Sequence, residues 1–200
     1  MHLYTASTSP NGQRVDVFLK EKGIEIPTTE IDLRGAENLT AEFITKNPSG
    51  RVPVLETDAG IFLSESVAIC RFIESLHPEP NLFGQSGEQQ AAIEMWHRRV
   101  EFNLYLPVAQ AFRNISGYFK DRETVSAEWG QISAETAKKA VAMFDEQLSD
   151  NGYIAGDTFS IADITLAITW TFAKNTRQEL PQLANITSWH ERITSRASFR

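Results

Sequence analysis

Gly50-Arg51-Val52-Pro53-Val54-Leu55, followed along the chain by Ser64-Glu65-Ser66 at the head of an apolar, helix-spaced run, decides the fold. Proline has no amide donor, so a strand that meets Pro53 must start there or lie at a sheet edge. The carbonyl and amide of Val52 are then left to pair with something else. The first amides of a helix point outward unpaired and carry partial positive charge, so the turn at Ser64-Glu65-Ser66 favours a carboxylate. One strand edge beside one helix N-terminus can hold a short peptide with a free carboxylate. Either piece alone is an ordinary strand start or an ordinary cap; it is their order that carries the reading.

Outward from this stretch, the first 76 residues alternate strand and helix, and everything after about residue 87 reads as helix. A strand is expected over residues 2–5. Ser9-Pro10-Asn11-Gly12 is a helix entry, with Ser9 as N-cap and Pro10 at the first helical position. That helix carries Val15, Phe18 and Leu19 at helical spacing and stops at Gly23. A second strand is predicted over 27–33 and a short helix over 39–45. Strands 54–56 and 61–63 flank Thr57-Asp58-Ala59-Gly60, a turn of hairpin composition. A third helix over 65–76 should bury Val67, Ile69 or Cys70, Phe72, Ile73 and Leu76. The order is βαβαββα.

His77-Pro78-Glu79-Pro80 breaks that helix and opens the only linker-like segment. Ile93, Trp96 and Val100 then share a face of a long fourth helix with Pro107 as its kink. A fifth helix is predicted over 133–148 and a last one over 183–194. The sixth opens at Ser160-Ile161-Ala162-Asp163, with Ser160 as N-cap, Asp163 reaching back and Phe159 stapled to Ile164, a signal of folding rather than chemistry.

Composition narrows the function classes. With 200 residues, 42% of them apolar and four of them Trp, the chain can bury the core of one large domain or two small ones. Nineteen Lys and Arg against 26 Asp and Glu give a net charge of -7, so no nucleic acid partner is expected. Met1-His2-Leu3-Tyr4 runs straight into strand-like sequence without the basic segment or apolar core of an export signal, and no run is long enough to span a bilayer. A cytoplasmic protein with no membrane partner is expected. A single cysteine, Cys70, excludes an internal disulfide and reads as a buried small hydrophobe. His2, His77, His97 and His190 show no metal-ligand spacing, so no metal is expected.

A βαβαββα domain with Val-Pro before its third strand, Glu-Ser at its third helix, a Pro-rich break and an all-helical domain containing Ser-x-x-Asp resembles a cytosolic glutathione transferase. The resemblance covers nearly the whole chain. It implies an α/β thioredoxin-like N-terminal domain over 1–77 that binds glutathione, an all-α C-terminal domain over 87–200, and a homodimer. It also implies a cis Val52-Pro53 peptide, X-Pro being where cis bonds occur. The activity so implied joins the glutathione thiolate to a small electrophile, as in detoxification, with glutathione as co-substrate and no other cofactor. A glutathione-dependent disulfide reductase or peroxidase, suggested by Asn11 beside Ser9, and a non-catalytic binding module on the same fold are the alternatives.

The resemblance also distributes roles. Tyr4-Thr5-Ala6-Ser7-Thr8-Ser9-Pro10-Asn11-Gly12 holds the activating residue and contains no cysteine, which rules out an enzyme thiol in mixed disulfides; Tyr4 reads as packing. Ser9 resembles the serine of the phi and theta classes, while Ser-Pro-Asn-Gly resembles the Thr-Pro-Asn-Gly of the bacterial nu class, in which Asn11 also approaches the sulfur. A free thiol titrates near about 8.5 and only the thiolate attacks, so a hydroxyl at a positive helix end can activate it without a base. Val52, before Pro53, binds the cysteinyl backbone as an added strand, and Glu65 and Ser66 hold the γ-glutamyl end. Arg51 sits where several classes place a Gln or Lys that touches the peptide. Asn38 replaces a His near the glycyl carboxylate. The electrophile is expected between the domains, against Thr5, Ala6, Tyr105, Ala109 and Phe112.

Overall fold

Alternation along β1 (His2–Thr5) buries Leu3 and Thr5 on one face of the strand. The computed structural model, which describes residues 1–200, continues with α1 (Pro10–Lys22), β2 (Thr28–Glu30), a 3-10 turn (Glu37–Leu39), α2 (Ala41–Lys46), β3 (Val54–Glu56), β4 (Phe62–Ser64) and α3 (Ser66–Leu76). The four strands form one mixed sheet in the order β2-β1-β3-β4. β1 is parallel to β2 and antiparallel to β3, and Leu55 stands between Leu3 on one side and Leu63 of antiparallel β4 on the other. On one side of the sheet Phe43 of α2 joins Ala6, Ile31, Val52 and Val54, with Tyr4 and Leu33 packed against them. Leu55 points the opposite way, where α3 packs on β3 and on α1 through Ile69, Ile73, Val15 and Phe18, all fully buried.

The element ends follow from short-range chemistry. Ser9 caps α1 with Pro10 behind it, and Gly23 closes the helix in the left-handed region at φ 65°. β2 is shorter than its apolar pattern suggests because Asp32 takes over: its Oδ1 accepts from Arg34 N and Gly35 N, both at 2.9 Å, and turns the chain away. Thr40 caps α2 by accepting from Phe43 N at 3.3 Å, so the preceding residues wind as the 3-10 turn. On α3, Ser66, Ile69, Cys70 and Ile73 are buried, Val67 and Phe72 are half-buried, and Leu76, expected inside, is 50% exposed at the helix's last position. Lys22 pins the Pro-rich break. Its buried ammonium pairs with Glu74 at 2.5 Å and donates to the carbonyls of His77 and Pro80.

The chain divides into two compact units, Met1–Leu82 with Ala197–Phe199 and Phe83–Arg196 with Arg200. The second is helical: α4 (Gly87–Val100), a wide turn (Glu101–Tyr105), α5 (Leu106–Ser116), α6 (Ala127–Asp150), α7 (Ile161–Asn175) and α8 (Ala184–Thr194). Where a simple proline kink was expected, Leu106 N–H reaches Glu101 O, one residue further back than in an α-helix. Pro107 supplies no N–H to the carbonyl of Asn103, and the widened turn lies just before it. α6 starts six residues earlier than its apolar pattern predicts, because its first turns carry Trp129 and Ile132, each 50% exposed. Gly130 lies within them. It brings α6 against α5 so closely that a Cβ there would sit 2.7 Å from Ile115 Cγ1. No helix is long and apolar enough to cross a membrane.

The Ser160 to Asp163 turn organises this unit. Asp163 is fully buried, and its carboxylate accepts from Ser160 N and Oγ at 3.0 Å, from Ile154 N at 2.9 Å and from Trp189 Nε1 at 3.3 Å. It thereby joins the start of α7 to α8 and to the chain leaving α6. Burial pushes the Asp163 carboxyl up to about 6, against the pull of the bonds from Ile154, Ser160 and Trp189. Ser160→Ala should cost about 1 kcal/mol. Asp163→Ala, which orphans several buried donors, should cost about 3 kcal/mol or more in urea unfolding. A carboxyl raised above its ordinary 3.8 contributes stability that is full below that value and lost as pH rises through about 6. The non-titrating Asp163→Asn should therefore gain on the wild type between about pH 4.5 and about pH 7.5. Urea midpoints at the two values check the sign.

Candidate active site

β3 begins at Val54, where its register with Tyr4 and Ser64 starts, and Val52-Pro53 before it is a cis peptide. Val52 is 8% exposed, its side chain in the core cluster, and its backbone amide and carbonyl make no hydrogen bond within the protein. The loop that presents it is held from two directions. Asn47, which is buried, donates from Nδ2 to Arg51 O at 2.7 Å and accepts from Ser49 N and Oγ at its Oδ1. Asn38 donates from Nδ2 to Gly50 O at 2.6 Å. The structure thus brings Asn38 to the Arg51-Val52 loop as a brace for its backbone, and leaves the Arg51 side chain exposed.

Glu65 precedes α3 with φ 68°, a region that a non-glycine residue occupies only under strain. Its side chain does not cap the helix, so the first amides of α3 stay open to an anion. Ser66, 5% exposed, accepts at Oγ from Arg14 Nη1 at 2.6 Å.

The same arginine reaches the start of α1. Arg14 Nη1 also donates to Asn11 Oδ1 at 2.8 Å, so a buried guanidinium joins two candidate residues from separate helix starts. Ser9 is differently engaged. Its hydroxyl donates to Ala6 O at 2.8 Å and accepts from Gly12 N at 3.0 Å, so its proton already has an acceptor. Ser7 ties the loop to β2 through Glu30 Oε1, accepting its N–H at 2.8 Å and its hydroxyl at 2.9 Å. The first turn of α1 holds no acidic residue to offset its positive end. Tyr4 is occupied elsewhere: its hydroxyl donates to Glu56 at 3.0 Å, burial and then that bond raise its pKa, and Lys46 lies over its ring.

Among the residues assigned to the electrophile, Ala6 is buried in the core cluster, and Thr5 is 7% exposed with a buried Oγ1 that has no partner. Tyr105 closes the wide turn of the helical unit and Ala109 lies on α5. Phe112, also on α5, has its ring edge-on to Phe172 at 5.2 Å and tilted on Tyr118 at 5.6 Å. Two residues escaped the sequence reading. Arg14 and Asn47 look like ordinary surface polar residues; the cue was an arginine one turn past Asn11, inside the apolar spacing of Val15 and Phe18.

Family models for the glutathione S-transferase N-terminal domain and C-terminal domain match residues 8–76 and 112–197. Glutathione S-transferase 2 of Saccharomyces cerevisiae is 32% identical over 205 aligned positions, covering 100% of this chain and 88% of the relative. A crystal structure of a glutathione S-transferase domain-containing protein from Marinobacter aquaeolei matches with a TM-score of 0.96 at 32% identity over 100% of both chains. A crystal structure of a class Gtt2 glutathione S-transferase from Vibrio parahaemolyticus matches at 38% identity and a TM-score of 0.89, over 100% of this chain and 96% of the other.

The crowding at α1's first turn can be tested directly. A Cβ on Gly12 would lie 2.3 Å from Ala6 O, 2.6 Å from Thr5 Oγ1 and 2.9 Å from Ser9 Oγ. Gly12→Ala should therefore cost about 1–3 kcal/mol in urea unfolding. Gly87→Ala, at a helix start with nothing within 4 Å of the added carbon, should be neutral or stabilise by up to about 1 kcal/mol.

Proposed function

The chain belongs to the glutathione S-transferase family, and from that premise we propose that it conjugates the glutathione thiolate to small electrophiles, acting as a homodimer in the cytoplasm. The observation that carries this reading is the unpaired backbone of Val52 in the same unit as the uncapped start of α3. The cysteinyl residue of glutathione adds to Val52 as an antiparallel strand, with Pro53 fixing where β3 proper begins. The γ-glutamyl carboxylate meets the open amides at Glu65 and Ser66, together with the Ser66 hydroxyl, which accepts from Arg14 on one lone pair and keeps its proton to donate. Arg51 flanks the peptide, and Asn38 serves it through the loop it braces. The assignment of Thr5, Ala6, Tyr105, Ala109 and Phe112 to the electrophile is part of the same proposal.

At the start of α1 the thiol loses its proton to solvent, and the thiolate is held by donors under the positive helix end. Asn11 offers its Nδ2 amide, because Oδ1 is turned to Arg14. Ser9 donates only after leaving Ala6 O. The sulfur lone pair then forms the C–S bond. A halide leaves with its electron pair, or, in addition to an activated alkene, the resulting carbanion takes a proton from water. Holding both reactants together supplies much of the rate. Conjugation is favoured over thiol exchange through the enzyme because the only cysteine, Cys70, is buried and its thiol is pushed up to about 12 by that burial.

Ultraviolet difference titration of the glutathione complex should show thiolate forming below the free value of about 8.5. Asn11→Ala should raise the bound thiol's pKa by about 1 to 2 units, the loss of one charge-assisted bond. Ser9→Ala should raise it less and lower stability by about 1 kcal/mol through the lost cap. A wild-type complex titrating like free glutathione would leave a binding module without turnover. Faster turnover of a small mixed disulfide than of an aromatic halide would make it a disulfide reductase.

A further inference from the structure

Arg14 lies in the second turn of α1 and is 2% exposed, so it cannot itself touch a ligand at the protein surface. Its Nη1 donates to Asn11 Oδ1 at 2.8 Å and to Ser66 Oγ at 2.6 Å. A guanidinium carries N–H donors and no acceptor, and keeps its charge at every relevant pH. Asn and Ser side chains are ambivalent, able to present either a donor or an acceptor. Beside a buried Arg14 they lose that freedom. Asn11 must turn its oxygen inward, which leaves Nδ2 directed away. Ser66, accepting at Oγ, keeps its hydroxyl proton for another acceptor. Both residues therefore meet a ligand as donors, and both stand at helix starts where the partial charge is positive.

We propose that Arg14 is a positioning residue that sets the donor polarity of Asn11 and Ser66 together, and so couples the sulfur end of glutathione to its γ-glutamyl carboxylate end. This rests on the glutathione reading above. An Asn11 amide free to flip would spend part of its time with a carbonyl oxygen towards a thiolate, which repels it. A Ser66 hydroxyl without Arg14 would be free to turn its proton to other acceptors. Because one Nη1 serves both, displacement of either partner is felt by the other. Bound glutathione thereby favours a single arrangement at both ends of the molecule.

The test is a pair of double-mutant cycles read by thiol titration and glutathione calorimetry. Arg14→Met, which keeps the apolar stem and removes the guanidinium, should raise the bound thiol's pKa by about one unit and weaken glutathione binding about tenfold. In an Asn11→Ala background, Arg14→Met should add no further rise. In a Ser66→Ala background it should add no further loss of affinity. Full additivity in both cycles would mean that Arg14 acts by its charge alone, and would overturn the proposal. Asn11→Asp leaves Arg14 in place and covers the case in which Arg14→Met does not fold. It keeps an acceptor towards Arg14 but has no donor, so the thiol pKa should rise at least as far as in Asn11→Ala with stability retained. A thiol unchanged or lowered in Asn11→Asp overturns the proposal on its own. Absence of glutathione binding by the wild type would defeat both readings, whereas tight wild-type binding with additive variants defeats only the role of Arg14.

Discussion

The missing amide of Pro53 is the constraint on which the first unit depends. A strand needs a donor at alternate positions to pair on each side, and at residue 53 there is none. Pairing with β1 and β4 therefore starts at Val54, and the Val52 backbone is left outside the ladder while its side chain stays in the core. Anchored side chain and unpaired backbone are the two properties an added strand requires. The braces on the loop, Asn47 on Arg51 O and Asn38 on Gly50 O, satisfy the two carbonyls that lead into this gap without closing it. The site is thus the residue of an incomplete sheet whose neighbouring groups are satisfied.

The helical unit answers to a different constraint, the burial of a carboxyl. Desolvation and hydrogen bonding oppose each other at Asp163, and the bonds it accepts reach α7, α8 and the chain between α6 and α7. Removing a buried polar group costs more than its net bond is worth, because its partners are left unpaired. The same logic applies to Arg14 in the first unit, which is as deeply buried as the aliphatic residues around it. Each unit therefore has a charged or polar centre that specifies one arrangement of its helix starts.

Much of this was legible in the chain. Caps are local chemistry, so Ser9, Ser160 and Gly23 could be read from their neighbours, and the βαβαββα order followed from apolar period and turn residues. What escaped depended on tertiary contact. Arg14 sits among apolar residues of α1, and composition alone assigns arginine to the surface. The positive φ of Glu65 has no residue-type signature. The wide turn before Pro107 and the early start of α6 at Ala127 were hidden for related reasons. The first concerns which carbonyl a donor reaches, and the second carries exposed apolar residues and a glycine whose use is close packing. For the candidate site, residue identity pointed to Ser9, and only geometry showed that its proton is already bonded to Ala6 O while the amide of Asn11 is not so engaged.

Cys70 has one more consequence. A protein that handles electrophiles risks alkylating itself, since the reagents that react with one thiolate react with others. Here the only side-chain sulfhydryl is buried in α3, has no exposed surface, and its pKa is pushed up to about 12 by that burial. An electrophile in solution therefore meets no competing nucleophile of that kind on the folded chain. Attack by an electrophile at the cysteine sulfur would require the first unit to open.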